Sequence, residues 1–153
     1  MSCKYPLTLG LMMVAVFGWS AAQTSGQRGE LAVVRLVVKV ESGILISRLN
    51  PPSIKLVNPF DTGKVLTARI DGVLSRERPE FYYARLKPVT WSLLVPDSVA
   101  SGSYPAEVRA IFSLCSTARG FCYTDQQKAL ATVQVGEQQE DTTVVFQLRQ
   151  PEW

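Results

Sequence analysis

A chain of 153 residues, 46% of them hydrophobic and with a net charge of +3, is long enough to bury one core and too balanced in charge to be built for nucleic acid. It has no histidine, which excludes Ser-His-Asp and Cys-His hydrolases and the zinc sites that need imidazole. Among three cysteines, only Cys115 and Cys122 lie close together, and thiol chemistry is the main catalytic option left.

Residues 1–22 read as an export signal. Lys4 supplies the positive start, Leu7 to Trp19 is an apolar run too short to span a bilayer, and Ser20-Ala21-Ala22 fits the small-residue cleavage pattern. Cleavage after Ala22 would remove Cys3 and leave about 131 residues, with 15 basic against 13 acidic. An uncleaved N-terminal anchor is the alternative. No later stretch approaches a membrane span, so the mature chain is not expected to insert. Export and an even number of remaining cysteines point to an oxidising compartment.

Residues 23–29 are polar and read as a loose arm before a single domain over 30–153. From Ala32 to Val40 apolar residues alternate with Val33, Arg35, Val37, Lys39 and Glu41, the period of a half-buried strand. Ser42-Gly43 marks a turn, and Ile44-Leu45-Ile46 is a short apolar run ended by Asn50-Pro51-Pro52. Strands are predicted over Ser53 to Val57 and Val65 to Ile70, with a loop from Asn58 to Gly63 between them. The next segment, Leu74 to Arg85, carries Arg76, Glu77, Arg78, Pro79 and Glu80 and then Phe81, Tyr82 and Tyr83. It reads as an exposed loop with one packed end, or as a strand entering the core.

Val89 to Val95 alternates with Trp91 on the core face. Strands follow over Tyr104 to Cys115, from Phe121 to Thr124, Ala129 to Val135, and Thr143 to Leu148. No window sustains a 3.6-residue apolar period. Many short strands separated by turns predict an all-β fold, an antiparallel immunoglobulin-like β-sandwich, with Trp91, Val108, Phe112 and Phe146 buried. The cysteines are too close in sequence to be the inter-sheet pair of antibody domains.

Cys115 and Cys122 flank Gly120, where a hairpin would turn back, so the two thiols can face each other and close a disulfide. Spacing leaves its purpose open. A structural bond over so short a loop contributes roughly 2–3 kcal/mol, whereas a reactive pair needs partial exposure and nearby groups that tune the thiolate. Arg119, inside the loop, is either such a group or a solvated turn residue.

The residues around the pair add a resemblance. Gly120-Phe121-Cys122-Tyr123 preceded by a cysteine at a strand end, Glu80-Phe81-Tyr82 upstream, and the Ser42-Gly43 turn before an apolar strand resemble the N-terminal periplasmic domain of DsbD-type thiol:disulfide interchange proteins. The resemblance covers roughly Val40 to Val135. It implies an immunoglobulin-like periplasmic domain that carries reducing equivalents, with a place in cytochrome c biogenesis. They would arrive from a membrane-embedded reductant through a thioredoxin-like domain and leave to thioredoxin-fold partners. Cys122 would form the mixed disulfide and Cys115 would resolve it. Glu80, Phe81 and Tyr82 would belong to a cap loop, with Phe81 covering the cysteines.

The chain departs from that pattern. Six residues, not five, separate the cysteines; Pro79 replaces an acidic residue before Glu80; and Ile44, Leu45 and Ile46 replace tyrosines. The membrane and C-terminal domains of the family have no counterpart here, so the reductant is expected on a separate polypeptide. No cofactor, metal or nucleic-acid partner is expected, and the domain is expected to be monomeric. The alternative is a secreted immunoglobulin-like binding or assembly module whose disulfide is purely structural.

Overall fold

The computed structural model describes residues 30–136 and 141–152; the export signal, its cleavage site and the arm expected over 1–29 lie outside them. Ten strands are described: β1 Leu31–Val40, β2 Ile44–Ser47, β3 Ser53–Val57, β4 Val65–Thr67, β5 Gly72–Leu74, β6 Tyr82–Leu86, β7 Val89–Leu94, β8 Gly102–Ser116, β9 Phe121–Val135 and β10 Thr142–Leu148. The described residues contain no helix.

The alternation in β1 decides which side faces inward. Ala32, Val34, Leu36 and Val38 are buried, while Leu31, Arg35 and Lys39 face water. The strand pairs antiparallel with β7 and parallel with β10, giving a three-stranded sheet in the order β10-β1-β7. The other seven strands form the second sheet, β4-β3-β8-β2-β6-β5, with β9 paired to β8. Every pairing in that sheet is antiparallel.

The two sheets close on one core, the all-β sandwich expected from the strand pattern. Trp91, Leu93, Phe146 and Leu148 from the smaller sheet share a hydrophobic cluster with Ile46, Ile54, Leu56, Val108, Phe112 and Leu114 from the larger. Trp91, Val108, Phe112 and Phe146 are all buried, as their alternation predicts. Burying each such side chain contributes about 1.5–3 kcal/mol.

β8 positions the cysteines. One edge of it pairs with β9 along its full length, from Gly102↔Val135 to Ser116↔Phe121. The other edge changes partner: β3 occupies Glu107 to Ile111, and β2 occupies Leu114 to Ser116. Between β2 and β3 residues 47–52 leave the ladder to β8. Pro52 cannot continue a central ladder, and Asn50 N–H turns back onto Ser47 Oγ at 3.2 Å.

Three local readings change. β4 ends at Thr67 rather than Ile70, and the chain returns at Gly72 as β5. The aromatic end of the charged segment is a strand, because β6 pairs with β2 (Ile46↔Tyr83, Ser47↔Tyr82) and seals Leu86 into the core. Residues 121–124 and 129–135 belong to one strand, since Asp125 and Gln127 sit half-buried at the sandwich margin and the ladder to β8 runs through them.

Gly72 shows how tightly β5 lies on β6. A Cβ there would stand 2.5 Å from the Arg85 carbonyl oxygen and 2.8 Å from Tyr83 Cδ1. Gly72→Ala is expected to destabilise the domain by about 1–3 kcal/mol through a forced backbone shift. Urea unfolding measures it, and an unchanged midpoint would show that β5 is not seated there.

Candidate functional site

The site is the turn end of the β8–β9 hairpin. Thr117 to Gly120 form its four-residue tip. Gly120 N–H donates to the Ser116 carbonyl at 2.9 Å, and Arg119 N–H donates to Ser116 Oγ at 3.2 Å. Gly120 has φ +68, a left-handed conformation that other residues adopt at a cost. Thr117 N–H and its hydroxyl both donate to the Gly43 carbonyl, at 2.9 and 3.1 Å, which ties this tip to the Ser42-Gly43 turn.

Cys115 and Cys122 are bonded as a disulfide. They stand directly opposite in the ladder, with Cα atoms 4.0 Å apart. Leu114 and Ser116 point into the core, so the cysteines between and across from them lie on the outer face of the sheet. Cys122 is exposed and Cys115 half-buried. On the far side of Cys115, Leu45 of β2 is its register partner.

A shallow cleft of about 340 Å³ opens beside the disulfide. Leu45, the two cysteines, Thr117 and Phe121 line one side, and Glu77, Arg78 and Tyr82 line the other. The second wall is a braced loop. Ser75 N–H donates to the Tyr82 carbonyl at 2.9 Å, and the N–H groups of Phe81 and Tyr82 both donate to the Arg78 carbonyl at 3.1 Å. Arg48, just after β2, holds it. Its own N–H donates to the Phe81 carbonyl at 2.8 Å, and its guanidinium donates to the Pro79 carbonyl while lying 5.3 Å over the Tyr83 ring.

The three residues expected in a cap loop take different positions. Tyr82 lines the cleft. Phe81 packs edge-on against Tyr82, with ring centroids 6.4 Å apart, and is 37% exposed. Glu80 is exposed in the turn before them. Sequence reasoning missed Leu45, Glu77 and Arg78 as neighbours of the disulfide. Leu45 was marked only as one of three apolar residues standing in place of tyrosines, and it takes the β2–β8 register to set it beside Cys115. Arg119 turns away from the sulfurs, and its guanidinium reaches the Pro151 carbonyl at 3.5 Å. Among the described residues no group of three or more His, Cys, Asp or Glu could hold a metal ion.

Below the disulfide, on the core side, Tyr123 donates its hydroxyl to the Arg149 carbonyl at 2.8 Å. Burial raises its pKa above the ordinary 10.0, with Asp125 and Glu41 adding to the effect. The neutral phenol is therefore favoured more in the folded chain than in the unfolded one. Its stabilisation is complete below pH of about 10 and is lost as pH rises through the raised folded value. Tyr123→Phe should flatten the alkaline loss of thermal stability between pH of about 9 and 12; equal slopes in the two proteins would assign that loss elsewhere.

This arrangement can do one kind of chemistry directly: an exposed disulfide can be attacked by an external thiolate, and the resulting free thiol can return the bond. No protein-family model and no curated protein matches the chain.

Proposed function

We propose that this chain is a periplasmic thiol–disulfide carrier that passes reducing equivalents through Cys115 and Cys122 to thioredoxin-fold partners. Its own reductant would be a membrane-embedded protein on a separate polypeptide. The observation that carries the reading is the placement of the disulfide on the outer face of the sheet, with Cys122 exposed beside an open cleft. A bond made for stability does most when it joins distant parts of the core. This one joins neighbours already held by a long ladder, and it closes so short a loop that the chain-entropy gain is about 2.5 kcal/mol. The resemblance to the DsbD-type domain supports the same reading, with Cys122 as the sulfur that takes the mixed disulfide and Cys115 as the resolving thiol.

The competing reading, a binding or assembly module with a structural bond, draws on the rigidity of that ladder. The reduction potential decides between them. A carrier should equilibrate near the poise of its compartment, whereas a structural bond should lie below about −300 mV. Equilibration against a glutathione or dithiothreitol couple gives the value, and a potential below that limit would overturn the carrier reading.

The cleft wall makes a further distinction. Tyr82→Ala should speed reduction of the disulfide by dithiothreitol severalfold, because Tyr82 lines the cleft. Phe81→Ala should act more weakly, through loosened packing on Tyr82. Stopped-flow reduction rates of the three proteins test this, and a larger effect at Phe81 would mean that Phe81 itself shields the sulfurs.

A further inference from the structure

We infer that the free edge of β9 from Cys122 to Gln126 is a docking strand. It pairs, backbone to backbone, with an extended segment beside the reactive cysteine of the dithiol protein that exchanges with Cys122. The inference rests on the carrier reading above.

The parity of hydrogen bonds in β9 sets which backbone groups face its edge. In an antiparallel pair, alternate residues turn both N–H and C=O toward the partner strand, and the residues between turn both away. Three observations fix the phase here. The Thr132 carbonyl accepts from the Thr142 hydroxyl at 2.7 Å, so it points away from β8. Pro105, which has no N–H, is the register partner of Thr132, as a position that gives β9 no hydrogen bond allows. The 4.0 Å Cα separation of Cys115 and Cys122 fits the closer, non-hydrogen-bonded kind of pair. Even-numbered residues of β9 thus present their backbone groups at its open edge. Cys122, Thr124 and Gln126 are three in succession, and among the described residues no other strand pairs with them there.

Native sheets usually blunt such an edge with proline, a bulge or charge. β9 has no proline, and its ladder to β8 shows no register shift. The three outer-face side chains on this stretch are uncharged. Asp125, between them, turns its charge to the inner side, where Gln127 donates to it at 2.8 Å, and the first outer-face charge is Lys128, held by Glu107 at 2.7 Å.

The line of attack leads to the same edge. Exchange requires the incoming sulfur to approach opposite the leaving sulfur, because its electron pair enters the antibonding orbital of the S–S bond. The bond runs across the sheet from β8 to β9. On the far side of Cys115 the neighbouring strand sets Leu45, whereas on the far side of Cys122 no strand is paired among the described residues, so the β9 edge is the open side of the bond. A thiolate arriving over the edge bonds to Cys122 Sγ. The Cys115–Cys122 bond breaks, and Cys115 Sγ leaves with the electron pair and takes a proton from solvent. The partner's second thiol then loses its proton to solvent and attacks the partner's sulfur in the mixed disulfide, releasing Cys122 as a thiolate that takes a proton from solvent. The partner is oxidised to a disulfide, and this chain is reduced to two thiols. A segment paired with the backbone of Cys122 and Thr124 holds the cysteine beside it on that open side.

The test is Thr124→Pro. The Thr124 N–H points to the open edge, so proline there removes an edge donor and spares the β8–β9 ladder. Reduction by a reduced Cys-X-X-Cys protein of thioredoxin fold should slow about tenfold, the loss expected for one edge hydrogen bond in the docked state. Reduction by dithiothreitol, which docks on nothing, should stay at the wild-type rate, as should both rates in Thr124→Ala. A Thr124→Pro chain that reacts with the dithiol protein at the wild-type rate overturns the docking strand and leaves the carrier reading standing. A wild-type chain that dithiothreitol reduces and the dithiol protein does not overturns the carrier reading and the docking together. Hydrogen exchange supplies a second readout that does not depend on how the proline variant folds. In the mixed disulfide trapped with Cys115→Ala, the Thr124 amide should exchange at least about tenfold more slowly than in the free chain. Unchanged exchange there also overturns the proposal.

Discussion

Phe112→Ala is expected to lower the free energy of unfolding by about 3–5 kcal/mol, the range for emptying a filled aromatic site in a core. Phe112 is fully buried at the centre of β8, the strand that pairs with β2, β3 and β9. Its neighbours on the same face, Ala110 and Leu114, are also buried. Asp125 of β9 pairs opposite Phe112, and β3 and β2 hold the other edge of β8 on either side of it, at Ile111 and Leu114, which limits how far the backbone can move to fill the void. Denaturant unfolding at constant pH measures the effect. A loss under about 1 kcal/mol would mean that the core collapses around the site, so that β8 is far less constrained than its pairing indicates.

The second large effect is an all-or-none difference between the two cysteines. With Cys115→Ala, a reduced dithiol partner added as its single-cysteine form should remain attached to Cys122 when the mixture is oxidised. The thiol that would release it is gone. With Cys122→Ala, Cys115 is left half-buried, with Leu45 of the neighbouring strand on its far side, and little adduct should form. Non-reducing electrophoresis and mass spectrometry of the two variants give the yields. Equal yields would show that exposure and the Leu45 neighbour do not select the sulfur, which removes the asymmetry on which a carrier depends.

Much of the fold was legible because period-2 alternation reports burial directly. β1, β7, β8 and β10 each bury the face their alternation marks, and Trp91, Phe112 and Phe146 could be named as core from that alone. The cysteine hairpin was legible from Gly120 and the spacing. The charged segment before Phe81 was harder. Its short flanking strands owe their order to pairing with distant residues, as when β6 aligns on β2, and a local pattern carries no trace of that. The continuity of β9 was hidden for a related reason. Asp125 and Gln127 look like a loop by composition, yet Gln127 bridges to the Gln147 carbonyl at 2.8 Å across the sandwich margin. Which side chains surround the disulfide depends on register between β2, β6 and β8, and register is a property of the assembled sheet.

The parallel pairing of β1 with β10 has a consequence for how the molecule is made. The register Val34↔Thr142 joins residues from opposite ends of the described chain, so the smaller sheet has no second neighbour for β1 on that side until β10 has been delivered. Such distant closure is entropically late and makes for slow folding. The β8–β9 hairpin, by contrast, needs only a four-residue reversal and can form on its own schedule. On the export reading proposed above, with the N-terminus delivered first, the cysteines would meet an oxidant while the strand that completes the smaller sheet is still outstanding. Oxidation and final folding are then separable events: refolding started with the disulfide intact or reduced should share the same slow phase, set by docking of the last strand on the first.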